Sequence, residues 1–209
     1  LNPVETLRRI SGSSSGRFPS FTEAHALKAL ELIGGGAGIG RKQLSRELGL
    51  GEGTVRTLLS RMKAAGLLET SRGGATLTSE GRGLLERFGE LISAGEFPET
   101  EVTVGSRNYA ILVRGAGSSV NRGIEQRDAA LMAGAEGATT LVYDGERLIM
   151  PGVEMEIDPA ILEHVLDFFE PGREDVVIIG SAQEPLDAEI GAKYAALKLL
   201  ERVTVARKA

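Results

Sequence analysis

Between Arg41 and Lys63 stand six basic residues against two acidic ones, the densest positive stretch of the chain. Arg41 and Lys42 open it. Thr54, Arg56, Thr57, Ser60, Arg61 and Lys63 follow, at spacings that put them on or near the exposed side of a helix. Lys and Arg neutralise phosphates and release their counterions, and Arg, Ser and Thr on a helix reach base edges in a major groove. Arg72 lies in the turn Arg72-Gly-Gly74, from which it would touch a nucleic-acid backbone or a minor groove. These nine residues are the candidate nucleic-acid-binding set, and double-stranded DNA is the expected partner.

A second polar cluster runs from Arg114-Gly-Ala-Gly-Ser-Ser119 to Asn121-Arg-Gly-Ile-Glu-Gln-Arg-Asp128. A Gly-rich loop feeding a helix start presents free N–H groups to an anion. Arg114, Ser118, Ser119, Asn121, Glu125, Arg127 and Asp128 are therefore the candidate residues for a small-molecule or anionic effector. A plain connection with surface ion pairs is the other reading. No Gly-Lys-Ser/Thr closes the loop as in a P-loop, and it carries no dinucleotide fingerprint. His25 and His164 read as packing or surface residues, and no nucleophile-elbow sequence supports a triad of Ser118 or Ser119 with His164. The chain has no Cys, which excludes disulfides, thiolate chemistry and Cys-based zinc sites. No catalytic residue, metal site or cofactor is expected.

These residues need elements to hold them, and 209 residues suffice for two small domains. The halves differ in charge: residues 1–93 carry 13 Lys/Arg and 9 Asp/Glu (net +4), residues 94–209 carry 11 and 20 (net -9). Such a split hints at a nucleic-acid-facing domain joined to something else. No run reaches a membrane span and the first ten residues hold no signal-peptide core, so a soluble cytoplasmic protein with no membrane partner is expected. Val4–Ile10 can form a short docking helix before the Ser11–Gly16 Ser/Gly linker. Ser20 with Glu23 fits a capping box ahead of a helix lined by Ala24, Leu27, Leu30 and Ile33. Helices over Arg41–Leu48 and Glu52–Ala65, strands over Leu67–Ser71 and Ala75–Thr78, and a helix over Ser79–Ile92 follow. The stretch Gly95 to Pro98 reads as the boundary.

Beyond it, strands are expected at Glu101–Val104 and Asn108–Arg114, with a helix over Arg122–Ala133. Asp144-Gly145 should turn a hairpin of Thr139–Tyr143 and Arg147–Met150. A helix from Asp158-Pro159, a strand Asp175–Gly180 and a helix Leu186–Val203 close the chain. The last helix is a candidate dimer interface, unless Ala196, Leu199 and Leu200 face the core. Strands and helices without steady alternation favour α+β for this half.

Helix, short helix, helix, strand, Gly-rich turn, strand is the layout of a winged helix-turn-helix. Gly51-Glu-Gly-Thr-Val-Arg56, Ala65-Gly-Leu-Leu68 and Leu77-Thr-Ser-Glu-Gly81 resemble winged-helix transcriptional regulators of bacteria and archaea. Pro19-Ser-Phe-Thr-Glu-Ala-His25, Gly123-Ile-Glu-Gln-Arg-Asp128 and Gly134-Ala-Glu-Gly-Ala-Thr-Thr140 extend the resemblance to a little-characterised archaeal winged-helix family. In that family the C-terminal half is similar to the α+β insertion domain of bacterial aspartyl-tRNA synthetases and amidotransferase B subunits. That likeness brings no catalytic residue with it.

The expected architecture is an N-terminal segment and linker (1–18), a mainly α winged helix-turn-helix (19–93) and an acidic α+β domain (94–209). The expected function is a non-enzymatic DNA-binding regulator of transcription, acting as a homodimer, whose second domain senses a ligand, mediates dimerisation or does both. Two alternatives stand beside it. One is an enzyme acting on a nucleotide or phosphate ligand, with a winged-helix appendage as in archaeal riboflavin kinases. The other is a protein-docking module.

Overall fold

Amphipathic segments with local caps set out the first half of the computed structural model, which describes residues 2–12, 20–36 and 38–206. The chain divides into two units, Leu1–Gly89 and Glu90–Ala209. Residues 13–16 of the expected Ser/Gly linker lie outside the described residues.

In the first unit, α1 (Pro3–Ser11) starts at Asn2, whose side chain accepts the Val4 amide at 3.0 Å. Its Val4, Leu7 and Ile10 are buried, and it packs against α2 (Glu23–Gly34). The 1–18 stretch is thus in part a structured element of this unit. The capping box of α2 is displaced from the expected one. Thr22 rather than Ser20 precedes the helix, and the Thr22 amide donates to His25 Nδ1 at 3.1 Å, with the Thr22 hydroxyl 2.9 Å from the same nitrogen. A neutral imidazole takes the part usually played by a Glu or Gln three residues into the helix.

Burial, and secondarily Lys28, push the His25 pKa from 6.5 down to about 4. Between those values the unfolded chain binds a proton that the folded one refuses, so stability is complete above about pH 6.5 and is lost as pH falls toward 4. Urea unfolding at about pH 7 and about pH 5 should show the midpoint drop. His25→Gln keeps an acceptor for the Thr22 amide and should flatten that difference. An equal drop in the variant would show that His25 is not the group responsible.

α3 (Arg41–Leu48) ends at Gly49, left-handed at φ +62°, and α4 (Glu52–Ala64) buries Val55, Leu58, Leu59 and Met62. β1 (Leu68–Ser71) pairs antiparallel with β2 (Gly74–Leu77), Ser71 opposite Gly74. Ile39 bridges antiparallel to Ala75 and adds a one-residue third strand position beside β2. α5 (Ser79–Leu91) follows, capped where Thr78 Oγ1 accepts the Gly81 amide at 3.1 Å.

In the second unit the expected boundary stretch is instead β3 (Ile92–Phe97), Gly95 included, paired with β4 (Arg107–Val113) from Ile92↔Val113 to Phe97↔Asn108. Glu101–Val104, expected as a strand, forms a turn. Thr100 and Thr103 exchange side-chain and backbone hydrogen bonds there, which removes the groups a ladder would use. α6 (Ile124–Met132), β5 (Gly137–Tyr143), β6 (Leu148–Ile149), α7 (Pro159–Phe169), β7 (Val176–Ala182) and α8 (Pro185–Ala206) complete an α+β unit. Its sheet runs β3-β4-β7-β5-β6, antiparallel throughout.

Strand alternation sorts the two faces. Ala110, Leu112, Leu141, Val177 and Ile179 cluster with Ile161, Val165 and Phe169 of α7. The opposite face meets α8 so closely that a Cβ on Gly180 would lie 2.5 Å from the Ala188 carbonyl oxygen. α6 packs against α8 and β5. Ala196, Leu199 and Leu200 are at most 4% exposed, so that face of α8 belongs to the core and offers no dimer surface.

Candidate nucleic-acid interface

α4 is held by the apolar face it buries, which turns Arg56, Thr57, Ser60 and Lys63 outward. The β1–β2 hairpin stands beside it. Its base is set by a glycine contact: Gly74, at φ +113°, brings its backbone so close to Ile39 that a Cβ would lie 2.8 Å from that residue's main chain. The segment before α3 is thereby fastened to the hairpin. Between them lies an open groove of about 540 Å³, lined by Arg41, Arg56, Ser60, Lys63 and Arg72 among its side chains.

Four cations and no carboxylate line this groove. Lys63 Nζ donates to Thr70 Oγ1 at 3.4 Å, an uncharged acceptor that joins α4 to β1 and leaves the lysine charge uncompensated. Arg41, Arg56 and Arg72 make no ion pair among the described residues, so their charge is not cancelled within the unit. A dense, uncompensated positive lining of this kind attracts a polyanion, and more weakly as salt rises.

Five of the nine residues singled out in the sequence therefore converge. Lys42 is exposed on α3 outside the groove lining, Thr54 is half-buried, and the Thr57 hydroxyl turns back to the Gly53 carbonyl at 3.2 Å.

Arg61 is a different case. Its Nη1 donates to the carbonyls of Ile10, Ser11 and Gly12 at 2.9, 3.3 and 3.0 Å, and its guanidinium lies 5.5 Å from the Phe21 ring centroid. Arg61 thus caps the C-terminus of α1, where unpaired carbonyls and the helix dipole favour a cation. It is not part of the open groove. Arg61→Ala should cost about 1.5–3 kcal/mol of stability, the range for hydrogen bonds made by a charged group. Thermal melting reads that loss directly. A variant as stable as the parent chain would remove the structural role.

Sequence reasoning missed Gly40, Thr70 and Ser71 in the lining. The signal lay in Gly38, at φ +77°, where a Cβ would stand 2.5 Å from the Gly73 carbonyl oxygen. That close approach to the hairpin depends on a chain crossing more than thirty residues away.

The second polar cluster does not assemble into one site. Arg114 pairs with buried Asp175 at 3.6 Å and donates to Ser93 Oγ at 3.3 Å. Ser118 and Ser119 sit in a short 3-10 turn, Gly117–Ser119, and Asn121 is exposed after it. Glu125 pairs with Arg202 at 3.2 Å, and Arg127 with Asp128 at 3.1 Å. A hydrogen bond from its own amide, helped by Arg202, holds the Glu125 carboxyl below the usual carboxylate value. His164 packs between Phe97, edge-on at 5.0 Å, and Phe168, stacked at 6.1 Å. Among the described residues no group of three or more His, Asp or Glu is placed to hold a metal ion. No helix among them is long and apolar enough to cross a membrane.

The chain matches a family model described as the PH0730-like N-terminal domain over residues 35–83, which takes in α3, α4 and the hairpin. A domain of unknown function (DUF4443) matches residues 104–199, within the second unit. Among solved structures it is similar to hypothetical protein PH0730 from Pyrococcus horikoshii OT3, an archaeal protein. The two are 27% identical with a TM-score of 0.71, over 87% of this chain and 94% of that one. No curated protein matches it.

Proposed function

We propose that the chain is a double-stranded-DNA-binding transcriptional regulator whose first unit is a winged helix-turn-helix. The observation that carries this reading is the groove of about 540 Å³ bearing Arg41, Arg56, Lys63 and Arg72 without a carboxylate. In this reading α3 and α4 form the helix-turn-helix, α4 enters the major groove, and the β1–β2 hairpin is the wing. Arg56 and Ser60 then read base edges, and Arg72 reaches a backbone or minor groove from the wing tip. Lys42 and Arg41 contact phosphate at the start of α3, where free amides add to the attraction.

The acidic second unit, net -9 over residues 94–209 on the sequence count, is ill suited to the same polyanion. Its proposed part is to bind an effector, to join two copies, or both. A homodimer presents two α4 helices about one DNA turn apart, which multiplies affinity and reads a palindrome. The resemblance expected from the sequence between this half and the insertion domain of aspartyl-tRNA synthetases would bring no catalytic group, and none is proposed.

The test is selection of the full chain against random double-stranded DNA, with the enriched site re-measured at two salt concentrations. A palindromic site whose affinity falls steeply with salt is the expected result. Failure to enrich any sequence, or affinity indifferent to salt, would overturn the reading.

A further inference from the structure

The N-terminus of α6 opens into a cavity of about 310 Å³ within the second unit, lined among others by Arg122, Gly123, Arg127, Thr140 and Met150. Three observations meet there. First, no side chain at the N-cap closes α6, and although Glu125 takes its own amide, Ile124 at the first helical position lines the opening. Second, Arg122 makes no ion pair among the described residues, while Arg127 holds only exposed Asp128. Third, Thr140 is 4% exposed and its Oγ1 has no hydrogen-bond partner. That hydroxyl lies directly beneath the helix start: a Cβ placed on Gly123 would be 3.2 Å from it. A buried hydroxyl left unmatched is rare in folded proteins and calls for a missing partner.

We propose that this cavity binds a small phosphate monoester with an apolar body. The phosphate takes the Ile124 amide at the start of α6, the guanidinium groups of Arg122 and Arg127, and the Thr140 hydroxyl. Helix N-termini and paired arginines both favour a multi-oxygen anion, and the lining offers no carboxylate to oppose it. Glu125, in the same helical turn, is held by its own amide and by Arg202 at 3.2 Å, and does not line the cavity. Met150, Pro151 and Val153 form the apolar wall, and the volume suits a ligand at the small end of the usual range. Of the seven residues singled out from the sequence for an effector, only Arg127 lines the cavity.

The inference deepens the reading of the second unit as a ligand-binding half and does not depend on the first unit binding DNA. Its test is a residue-resolved NMR titration of the full chain, first with inorganic phosphate and then with phenyl phosphate. Saturable shifts of the Gly123, Ile124 and Arg127 amides are expected, with phenyl phosphate bound about ten-fold more tightly than phosphate. Arg122→Gln should weaken both about ten-fold. Thr140→Val, which keeps the side-chain shape, should weaken both while leaving the amide spectrum otherwise native. Overturning results are shifts confined to amides of the basic groove, no saturable shift at the α6 start, or shifts there unchanged by both substitutions. Because the readout is local, DNA selection and phosphate binding succeed or fail separately.

Discussion

Arg56→Ala is expected to cost about 1–3 kcal/mol on the DNA site that selection enriches, roughly a five- to 150-fold loss of affinity. The residue projects from α4 into the cationic groove, exposed and without an ion pair, so its deletion removes a contact and leaves no buried partner stranded. If it reads a base, the loss falls on the selected sequence and relaxes preference at one position, while non-specific affinity changes little. Lys63→Ala provides the contrast. A phosphate contact is sequence-blind, so affinity should fall alike on selected and scrambled DNA, and the slope of log affinity against log salt should flatten by about 0.9. Titrations of both variants on both DNAs at several salt concentrations separate the two roles. An Arg56→Ala dissociation constant equal to the parent's would remove Arg56 from the interface.

Gly81→Ala is expected to destabilise the first unit, although alanine is the better helix former by about 1 kcal/mol. The added Cβ would stand 2.0 Å from the Leu67 carbonyl oxygen and 3.2 Å from a Leu77 methyl. The main chain cannot swing aside as a long side chain would, and overpacking of this kind costs about 1–3 kcal/mol or more, which outweighs the propensity gain. The same substitution two residues on should have the opposite sign. At Gly83 the Cβ would meet only the end of Arg87, at 3.6 Å, so the propensity term stands alone. Chemical denaturation of the pair tests this directly. A Gly81→Ala chain as stable as Gly83→Ala would show that α5 does not rest on Leu67 as described.

Much of the first unit was legible because its signals are local. The helices expected over Arg41–Leu48 and Glu52–Ala65 match α3 and, to within a residue at its end, α4. Asp158-Pro159 likewise located the start of α7, where the Asp158 side chain accepts the Ala160 amide at 2.9 Å. Each of these patterns is complete within one or two helical turns. β3 was missed for the opposite reason. Ile92-Ser-Ala-Gly-Glu-Phe97 carries weak β propensity and a central glycine, and it is a strand because β4 pairs with it rung for rung.

The candidate interface divides along the same line. Residue types and helical spacing were enough to put a basic, hydroxyl-rich face on α4, because charge and periodicity are properties of the chain alone. Which of those residues share a groove was settled by contacts far apart in sequence. Gly74 against Ile39 brings the hairpin to the foot of α3, so that Arg72 and Arg41 line one opening with Arg56 and Lys63. Arg61 stands on the same helix, yet the carbonyls of Ile10, Ser11 and Gly12, about fifty residues away, take its guanidinium. A helical repeat fixes the angle at which a side chain leaves its own axis. Where that side chain comes to rest depends on what else folds against the helix, and only the packed chain supplies that.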